Sequence, residues 1–252
     1  MKRAPPDPHV APNRYVAKVA ALVRGGAVPA GATFFVPASR AADAYAACFA
    51  ALGVECWRTY DCATRLRLPG GCYVLDAAAT ARVDARRRSL WDFDTPPAAA
   101  FVGLRAALAG LGAGAAGGDV GLYCRRDGHR AVRGEAALVD ALRASTPGLA
   151  WVVHDGTGAL ADQAALFRRA AIVVAPHGAA LANLVFARAG ARVLELPVKH
   201  HANKVYKHAA AALGLPYRAA KTCTSLYTGT YDVGERELAE IVGLVGELLD
   251  GS

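Results

Sequence analysis

The chain has 252 residues, of which 54% are hydrophobic and 20% are charged, and its formal net charge is +8. Such a chain can bury a substantial core, which argues against global disorder. No apolar stretch reaches the roughly 18 residues that a membrane-spanning helix needs, so no transmembrane segment is predicted. The six cysteines are scattered without a C-x-x-C pair, which argues against structural zinc and a disulfide framework and predicts a reducing, cytoplasmic location.

The positive charge favours an anionic partner such as a nucleotide, a nucleic acid or an acidic membrane surface. The excess of arginine in a chain rich in alanine and glycine fits a GC-rich genome equally well. The basic residues are spread along the chain, and no helix-turn-helix, RNP-type or zinc-finger pattern is present, so no nucleic-acid binding is predicted. Peripheral contact with a membrane stays open. Three prolines follow the first basic residues and no apolar core does, so no secretory signal is predicted.

The first half of the chain alternates strands and helices after a flexible tail at residues 1–14. The predicted elements are strands at Thr33–Pro37, from Trp57 and at Cys72–Asp76, and helices at Arg40–Leu52 and Ala98–Leu111. Alternation of this kind is typical of a parallel sheet covered by helices. Residues 15–111 are therefore predicted to form a Rossmann-like domain, shorter than usual.

Residues 112–118, GAGAAGG, match the dinucleotide-binding pattern G-x-G-x-x-G letter for letter. That fingerprint requires a strand before the first glycine and a helix after the last. Here a predicted helix precedes the glycines and a predicted strand follows them, so we interpret the segment as a flexible interdomain linker. A nicotinamide-dependent oxidoreductase remains an alternative that needs a strand before Gly112.

The second half, residues 119–252, repeats the alternation more completely. The predicted strands are Val120–Cys124, Ala150–Val153, Ile172–Ala175, Arg192–Leu196 and Tyr217–Ala219, and the predicted helices are Gly134–Ser145, Asp162–Arg169, Ala179–Ala189, Lys204–Leu213 and Glu235–Leu249. The fold class is therefore α/β, with two Rossmann-like halves joined by the glycine-rich segment.

A strand-turn-helix unit in the second half has the features of a binding site. His177 and Gly178 form the turn between an apolar strand and the helix predicted to begin at Ala179. Backbone N–H groups at a helix amino terminus lack partners and the helix dipole is positive there, so the turn suits an anion such as phosphate. Open α/β sheets bind ligands at this edge.

Other polar residues follow neighbouring strands and should converge on the same edge. Arg125 and Arg126 follow one strand, Glu195 lies near the end of another, and Lys204 begins the next helix. Guanidinium and ammonium groups hold phosphate oxygens, so the set suits a nucleotide diphosphate. Each residue alone also fits a plain structural or solvated role. No acid or cysteine lies at ligand spacing from the His200–His201 pair, so no metal site is predicted.

The pattern P-H-G-A-x-L-x-N-x-x-F, followed by G-x-x-V-x-E-L-P, resembles the signature of glycosyltransferase family 61, which includes capsular polysaccharide synthesis proteins and xylosyl- and N-acetylglucosaminyltransferases. Matching positions are Pro176, His177, Gly178, Ala179, Leu181, Asn183, Phe186, Gly190, Val193, Glu195, Leu196 and Pro197, with Asp162, Gln163, Tyr206, Gly214 and Tyr217 around them. Arg125, Arg130 and Glu135 are similar to the family's R…R…N-E stretch, with Gly134 in place of Asn. Ala180 stands where the family has a second glycine. The resemblance extends over about residues 120–220.

The resemblance implies a GT-B-like fold, an inverting mechanism, a nucleotide-sugar donor (commonly a UDP-sugar), a glycan or protein acceptor, and neither a cofactor nor a required metal. The donor would bind residues 119–252 and the acceptor would lie on the side of residues 15–111. The implied donor-binding residues are Arg125, Arg126, Gly178, Ala179, Asn183, Glu195 and Lys204. Glu195 could instead only end its strand.

His177 and Asp76 are the candidate catalytic residues, with Asp76 as the first candidate for the base that deprotonates the acceptor. As an alternative, Asp76 caps a helix. A second hypothesis for the whole chain is a relative that binds a nucleotide or glycan without turnover. It is motivated by Ala180, whose methyl group stands where a phosphate would approach, and by the short first half.

Overall fold

The structure is a computed structural model that describes part of the chain. The described residues are 34–37, 42–51, 53, 57–60, 98–114, 117–199, 204–226 and 228–251. The predicted tail at residues 1–14, the predicted strand Cys72–Asp76 and the His200–His201 pair lie outside them. Among the described helices, none combines the length and apolar character needed to cross a bilayer.

The described elements of the first half are two strands and two helices. Strand β1 (Phe34–Pro37) is followed by helix α1 (Ala42–Ala51), strand β2 (Trp57–Tyr60) and, further along, helix α2 (Ala98–Ala107). Strands β1 and β2 pair in parallel. A parallel pair joined by a helix is the βαβ unit that alternation predicts.

Helix α2 ends four residues before the predicted Leu111, and turns follow it as far as Gly114. Gly112 has a left-handed φ of 65° and lies so close to the helix Leu160–Arg169 that a Cβ would stand 2.6 Å from the Ala165 amide nitrogen. Because a helix precedes Gly112, the dinucleotide fingerprint is missing its strand, and the oxidoreductase hypothesis was wrong. Gly112 therefore allows a tight turn that packs against the helix Leu160–Arg169.

The central sheet has five parallel strands. They are β3 (Val120–Cys124), β5 (Ala150–His154), β6 (Ala170–Pro176), β7 (Arg192–Leu196) and β8 (Tyr217–Ala219), in the spatial order β5-β3-β6-β7-β8. Every residue of β3 and β6 is buried, as expected for central strands covered on both faces. Two short strands, β4 (Val132–Arg133) and β9 (Tyr231–Asp232), pair in parallel beside the sheet. The structure confirms the α/β class with a parallel sheet, while the GT-B-like arrangement of two halves stays a prediction.

Helices cover both faces of this sheet. The second half contributes α3 (Glu135–Ser145), α4 (Leu160–Arg169), a 3₁₀ helix (Ala179–Phe186), α5 (Val205–Ala212) and α6 (Glu235–Asp250). Helices α1, α2, α4, α5 and the 3₁₀ helix contribute to one apolar cluster, and α3 and α6 contribute to the other. The result is a three-layer α/β/α arrangement with one core on each side of the sheet.

Helix α2 packs on the second half of the chain, although the sequence placed it in the first. Phe101 and Leu104 are buried in the same cluster as β3 and β6. The guanidinium of Arg105 donates hydrogen bonds of 3.0 Å to the carbonyls of Ala187 and Leu213, near the carboxyl ends of the 3₁₀ helix and α5. Residues 98–107 therefore help to hold the helices on one face of the central sheet.

The helix predicted at Ala179–Ala189 is shorter and more tightly wound than expected. The structure has a 3₁₀ helix that ends at Phe186, with Leu181 N–H donating to the Gly178 carbonyl at 3.1 Å. The prediction of an α-helix was wrong because apolar spacing does not distinguish the two forms in a segment buried on most sides. An anion at this turn would therefore meet a shorter helix than the sequence predicted.

Candidate functional site

The strand order reverses between β3 and β6, and the predicted site residues lie at that point. The chain passes from β3 outward to β5 and then returns across β3 to β6. Helices on opposite faces separate at such a switch and leave a crevice outside the carboxyl ends of the two strands. Arg125 and Arg126 follow β3, while His177 and Gly178 follow β6. The topology therefore brings both pairs to one crevice.

Arg126 and Gly178 are in direct contact across this crevice. A Cβ on Gly178 would overlap the Nη1 atom of Arg126, so the glycine allows the guanidinium to approach the backbone closely. The Nε atom of Arg126 donates to the His129 carbonyl at 2.8 Å, which anchors the half-buried side chain within its own loop. The contact places a cation beside the start of the 3₁₀ helix.

Arg125 is held in an ion pair at the surface. Its Nε and Nη2 atoms lie 2.8 and 2.6 Å from Glu135 Oε1, at the start of α3. This hydrogen bond and the carboxylate charge raise the pKa of the Arg125 guanidinium. The side chain is still 48% exposed, so Glu135 orients Arg125 toward solvent at the crevice while leaving it available to a ligand.

Arg130 fixes the backbone of His177. Its Nη1 atom donates to the His177 carbonyl at 2.8 Å, and its own amide donates to the Gly229 carbonyl at 2.5 Å. Arg130 is buried and has a φ of 68°, the only positive φ of a non-glycine residue among those described. A left-handed conformation is unfavourable for such a side chain, so the surrounding contacts enforce it.

Gly134 shows why a glycine can replace the family's asparagine before Glu135. It stands at the N-cap of α3 with a left-handed φ of 85°, and a Cβ there would lie 2.8 Å from the Val233 carbonyl oxygen. Asparagine tolerates that conformation better than most residues, and glycine adopts it without strain. The substitution therefore preserves the start of α3 and the position of Glu135.

His177, Glu195 and Tyr217 form a hydrogen-bonded chain across three neighbouring strands. The Nδ1 atom of His177 lies 2.5 Å from Glu195 Oε1, and the Tyr217 hydroxyl donates to Glu195 Oε2 at 2.5 Å. The side chains of His177 and Glu195 are only 7% and 4% exposed. Burial and the charge of Glu195 raise the pKa of Tyr217, so its hydroxyl stays protonated and donates. Both carboxylate oxygens of Glu195 are therefore used inside the protein.

The hydrogen-bonded side chains of His177, Glu195 and Tyr217 border a cavity of about 400 Å³ at the carboxyl ends of β7 and β8. This size is typical of small-molecule sites. Its described lining residues are His177, Glu195, Pro197, Val198, Lys204, Lys207, Tyr217, Arg218 and Ala219. Three of them are basic, and Glu195 is the only acid among them. The cavity is therefore cationic and suits an anionic ligand.

Asn183, in contrast, faces α4. It is 8% exposed, and its Nδ2 donates to Gln163 Oε1 at 2.9 Å. Gln163 in turn donates to the Gly158 carbonyl at 3.0 Å. These bonds tie the 3₁₀ helix to α4 and to the loop after β5. Ala179 and Ala180 are the first two residues of the 3₁₀ helix, so their N–H groups have no partner within it and point toward the crevice end.

The structure thus brings together most of the predicted site residues, but not all. Arg126, His177, Gly178 and Ala179 meet at the switch point, Lys204 and Glu195 join them through the cavity, and Arg125 stands at the rim. Asn183 is held away from the cavity lining. Asp76 lies outside the described residues. Among the described residues no group of three His, Cys, Asp or Glu side chains is arranged to hold a metal ion.

Sequence reasoning did not assign a role in the site to Tyr217 or Arg218. Tyr217 matched the family pattern, and it stands opposite Val193 in the sheet, two residues from Glu195 on the same face. Alternation along β7 and β8 would have indicated this neighbour once the pairing of the two strands was known. That pairing is not readable from the sequence.

The comparison with protein families agrees with this geometry. The family model described as Glycosyltransferase 61 matches residues 62–194, more than half of the 252-residue chain. The matched segment contains Arg125, Arg126, His177 and Gly178, and it ends one residue before Glu195. No match was found among curated proteins.

Proposed function

Because the chain belongs to glycosyltransferase family 61, we propose that it is an inverting glycosyltransferase that moves a sugar from a nucleotide-sugar donor, a UDP-sugar being expected, to a hydroxyl of a glycan or protein. The observation that carries the proposal is the His177–Glu195 pair at the edge of a cationic cavity next to the topological switch point. Such a place suits a ligand with a diphosphate.

The diphosphate would lie between two groups of cations. Arg126 packs on Gly178 at the crevice, and Arg125 stands at its rim. Lys204 and Arg218 line the adjoining cavity. When the bond from the sugar to the diphosphate breaks, negative charge grows on the leaving phosphate, and fixed cations stabilise that charge more in the transition state than in the ground state.

His177 would act on the leaving group. Glu195 is held by Tyr217 and can only accept from His177, so Nδ1 carries a proton and Nε2 is the nitrogen that faces a ligand. In the charged imidazolium form, Nε2 donates to a phosphate oxygen. We propose that Asp76, on the acceptor side, takes the proton of the attacking hydroxyl. The acceptor oxygen bonds to the anomeric carbon as the phosphate oxygen leaves, which inverts the configuration.

The alternative, a relative that binds without turnover, rested partly on Ala180. Its side chain packs against the apolar cluster on the α4 side of the sheet. The methyl group therefore has room in the core, and this favours the enzyme over the binding protein.

A two-step experiment tests the proposal. Nucleoside diphosphates and nucleotide sugars are first screened for their effect on the melting temperature, because a ligand that binds only the folded state raises it. The ligands that bind are then assayed for release of nucleoside diphosphate with and without glycan acceptors. We expect one nucleotide class to stabilise the protein and its sugar derivative to be consumed. Tight binding without release would identify the non-catalytic relative, and the absence of any nucleotide binding would remove the donor site.

A further inference from the structure

We propose that Glu195 and Tyr217 are positioning residues that act in opposite directions on the charge of the His177 ring, an inference that rests on the proposed role of His177 at the leaving group. Neither residue needs to touch the donor. Glu195 favours the charged ring, and Tyr217 limits that effect. Together they would set the pH range in which His177 can donate to a phosphate.

The sheet places the three groups in line. Strands β6, β7 and β8 are parallel neighbours, with Ala175 opposite Glu195 and Val193 opposite Tyr217. Glu195 thus lies between a histidine that follows one strand and a tyrosine on the next. The two 2.5 Å contacts join the three side chains through the two oxygens of a single carboxylate.

The same contacts remove the freedom of the ring. A carboxylate only accepts hydrogen bonds, so it selects the ring orientation in which Nδ1–H points at it. Arg130 holds the His177 carbonyl at 2.8 Å, and Tyr206 packs edge-on at 5.1 Å between ring centroids. Because the backbone, Nδ1 and one ring edge are all held, the orientation of the imidazole ring is set.

Among the described residues, several charged neighbours act on the ring. Lys204 and Lys207 at and within α5, and Arg218 from β8, share the cavity with it. From the loop after β3, Arg126 contacts the adjacent Gly178 and Arg130 donates to the His177 carbonyl. All these groups are cations and disfavour a charged ring.

Glu195 is the only acid among the described cavity residues, so it alone in that set favours the imidazolium. Both partners are buried, where charges are poorly screened. The Tyr217 hydroxyl donates to the same carboxylate and draws part of its negative charge away from His177. Removing Glu195 and removing the Tyr217 hydroxyl should therefore have opposite consequences.

The test compares kcat/KM over pH for the wild type, Glu195→Gln, Tyr217→Phe and the control Tyr123→Phe. We expect the alkaline fall in activity to move to lower pH by about one to three units in Glu195→Gln, since a nearby opposite charge is lost. In Tyr217→Phe it should move to higher pH by a smaller amount. Tyr123→Phe also deletes a buried tyrosine hydroxyl, one that lies near Glu135 rather than His177 or Glu195, so it should leave the pH profile unmoved.

A second measurement separates failure of this inference from failure of the proposed function. Titration of the His177 ring is followed by NMR in the protein without substrate, which requires no turnover. Opposite displacements in Glu195→Gln and Tyr217→Phe would support the inference even if no donor were consumed, and the proposed function would then fail alone. If the titration of His177 moved in the same direction in both variants, or moved in neither, the inference would be overturned. Similar melting temperatures for Tyr217→Phe and Tyr123→Phe would exclude a packing effect, and Tyr217→Phe decides the question if Glu195→Gln does not fold.

Discussion

Two histidines stand at the carboxyl edge of the central sheet, one at the end of β5 and one just after β6, and their surroundings differ. His154 and His177 are almost equally buried, at 7% and 5% exposure. His177 pairs with Glu195 on the next strand. His154 lies beside Cys124 in the sheet and packs edge-on against Phe167, and its Nε2 has no hydrogen-bond partner among the described residues.

The difference teaches what makes a strand-end histidine a candidate for chemistry. Burial lowers the pKa of His154 more than Asp155 and Gln163 raise it, which disfavours the charged form of its ring in the folded protein. His177, by contrast, has the Glu195 carboxylate within hydrogen-bond distance of its Nδ1 atom. Both histidines lie at the same edge of the sheet, so the residue on the neighbouring strand distinguishes them. Strand β7 places an acid beside His177, whereas β3 places a buried thiol beside His154.

The most direct test of this comparison is to replace each histidine with an uncharged residue. His177→Gln keeps a donor for Glu195 but removes the cation, so we expect turnover to fall by about 10²- to 10³-fold, as for loss of one group that stabilises transition-state charge. His154→Leu should leave turnover within a few-fold of the wild type. Release of nucleoside diphosphate measures both. A larger loss in His154→Leu than in His177→Gln would reverse the assignment.

The crevice side of the site is tested next with Arg126→Ala. Loss of one charge-assisted contact to a phosphate should weaken donor binding by about 10- to 100-fold. The matched control is Arg133→Ala, because Arg133 is 69% exposed and pairs with the equally exposed Asp232 on β9. Calorimetric titration with the donor nucleotide gives both affinities. Equal losses of affinity in the two variants would mean that Arg126 affects donor binding only through the net positive charge of the protein.

Gly178→Ala sharpens the same point. Its methyl group would displace the Arg126 guanidinium, which is the mobile end of a side chain, so donor binding should suffer more than folding. Because Gly178→Ala and Arg126→Ala remove the same contact, the double variant should bind the donor no more weakly than Arg126→Ala alone. Gly246→Ala is the control: its Cβ meets nothing within 4 Å on α6, and alanine should stabilise the helix by about 0.5–1 kcal/mol. Additive losses in the double variant would contradict the contact.

The smallest effect concerns the pH dependence of stability. The pKa of His154 in the folded state lies below its ordinary value of 6.5. As pH falls below 6.5, the unfolded chain takes up a proton that the folded protein resists, so the free energy of unfolding decreases. We expect urea denaturation at about pH 7.5 and about pH 5.5 to differ less in His154→Leu than in the wild type. An unchanged difference would show that His154 already accepts a proton when folded.

The sequence predicted much of the second half because its signals are local. Apolar runs bounded by turns predicted all five central strands to within two residues at each end, and Val120–Cys124, Arg192–Leu196 and Tyr217–Ala219 without error. The prediction failed at the 3₁₀ helix and at the end of α2, where packing against other elements controls the backbone. Asp76 and the division of the chain into domains stay predictions.

By itself, the sequence determined that strands and helices alternate and that Arg125, Arg126 and His177 follow strands. Parallel strands bring such residues to one edge by the geometry of the fold. Only the tertiary structure decided that Glu195 lies under His177, that Tyr217 donates to it and that Arg126 covers Gly178. Those contacts join residues 18, 22 and more positions apart. They depend on strand order and register, which longer-range packing sets and local patterns do not encode.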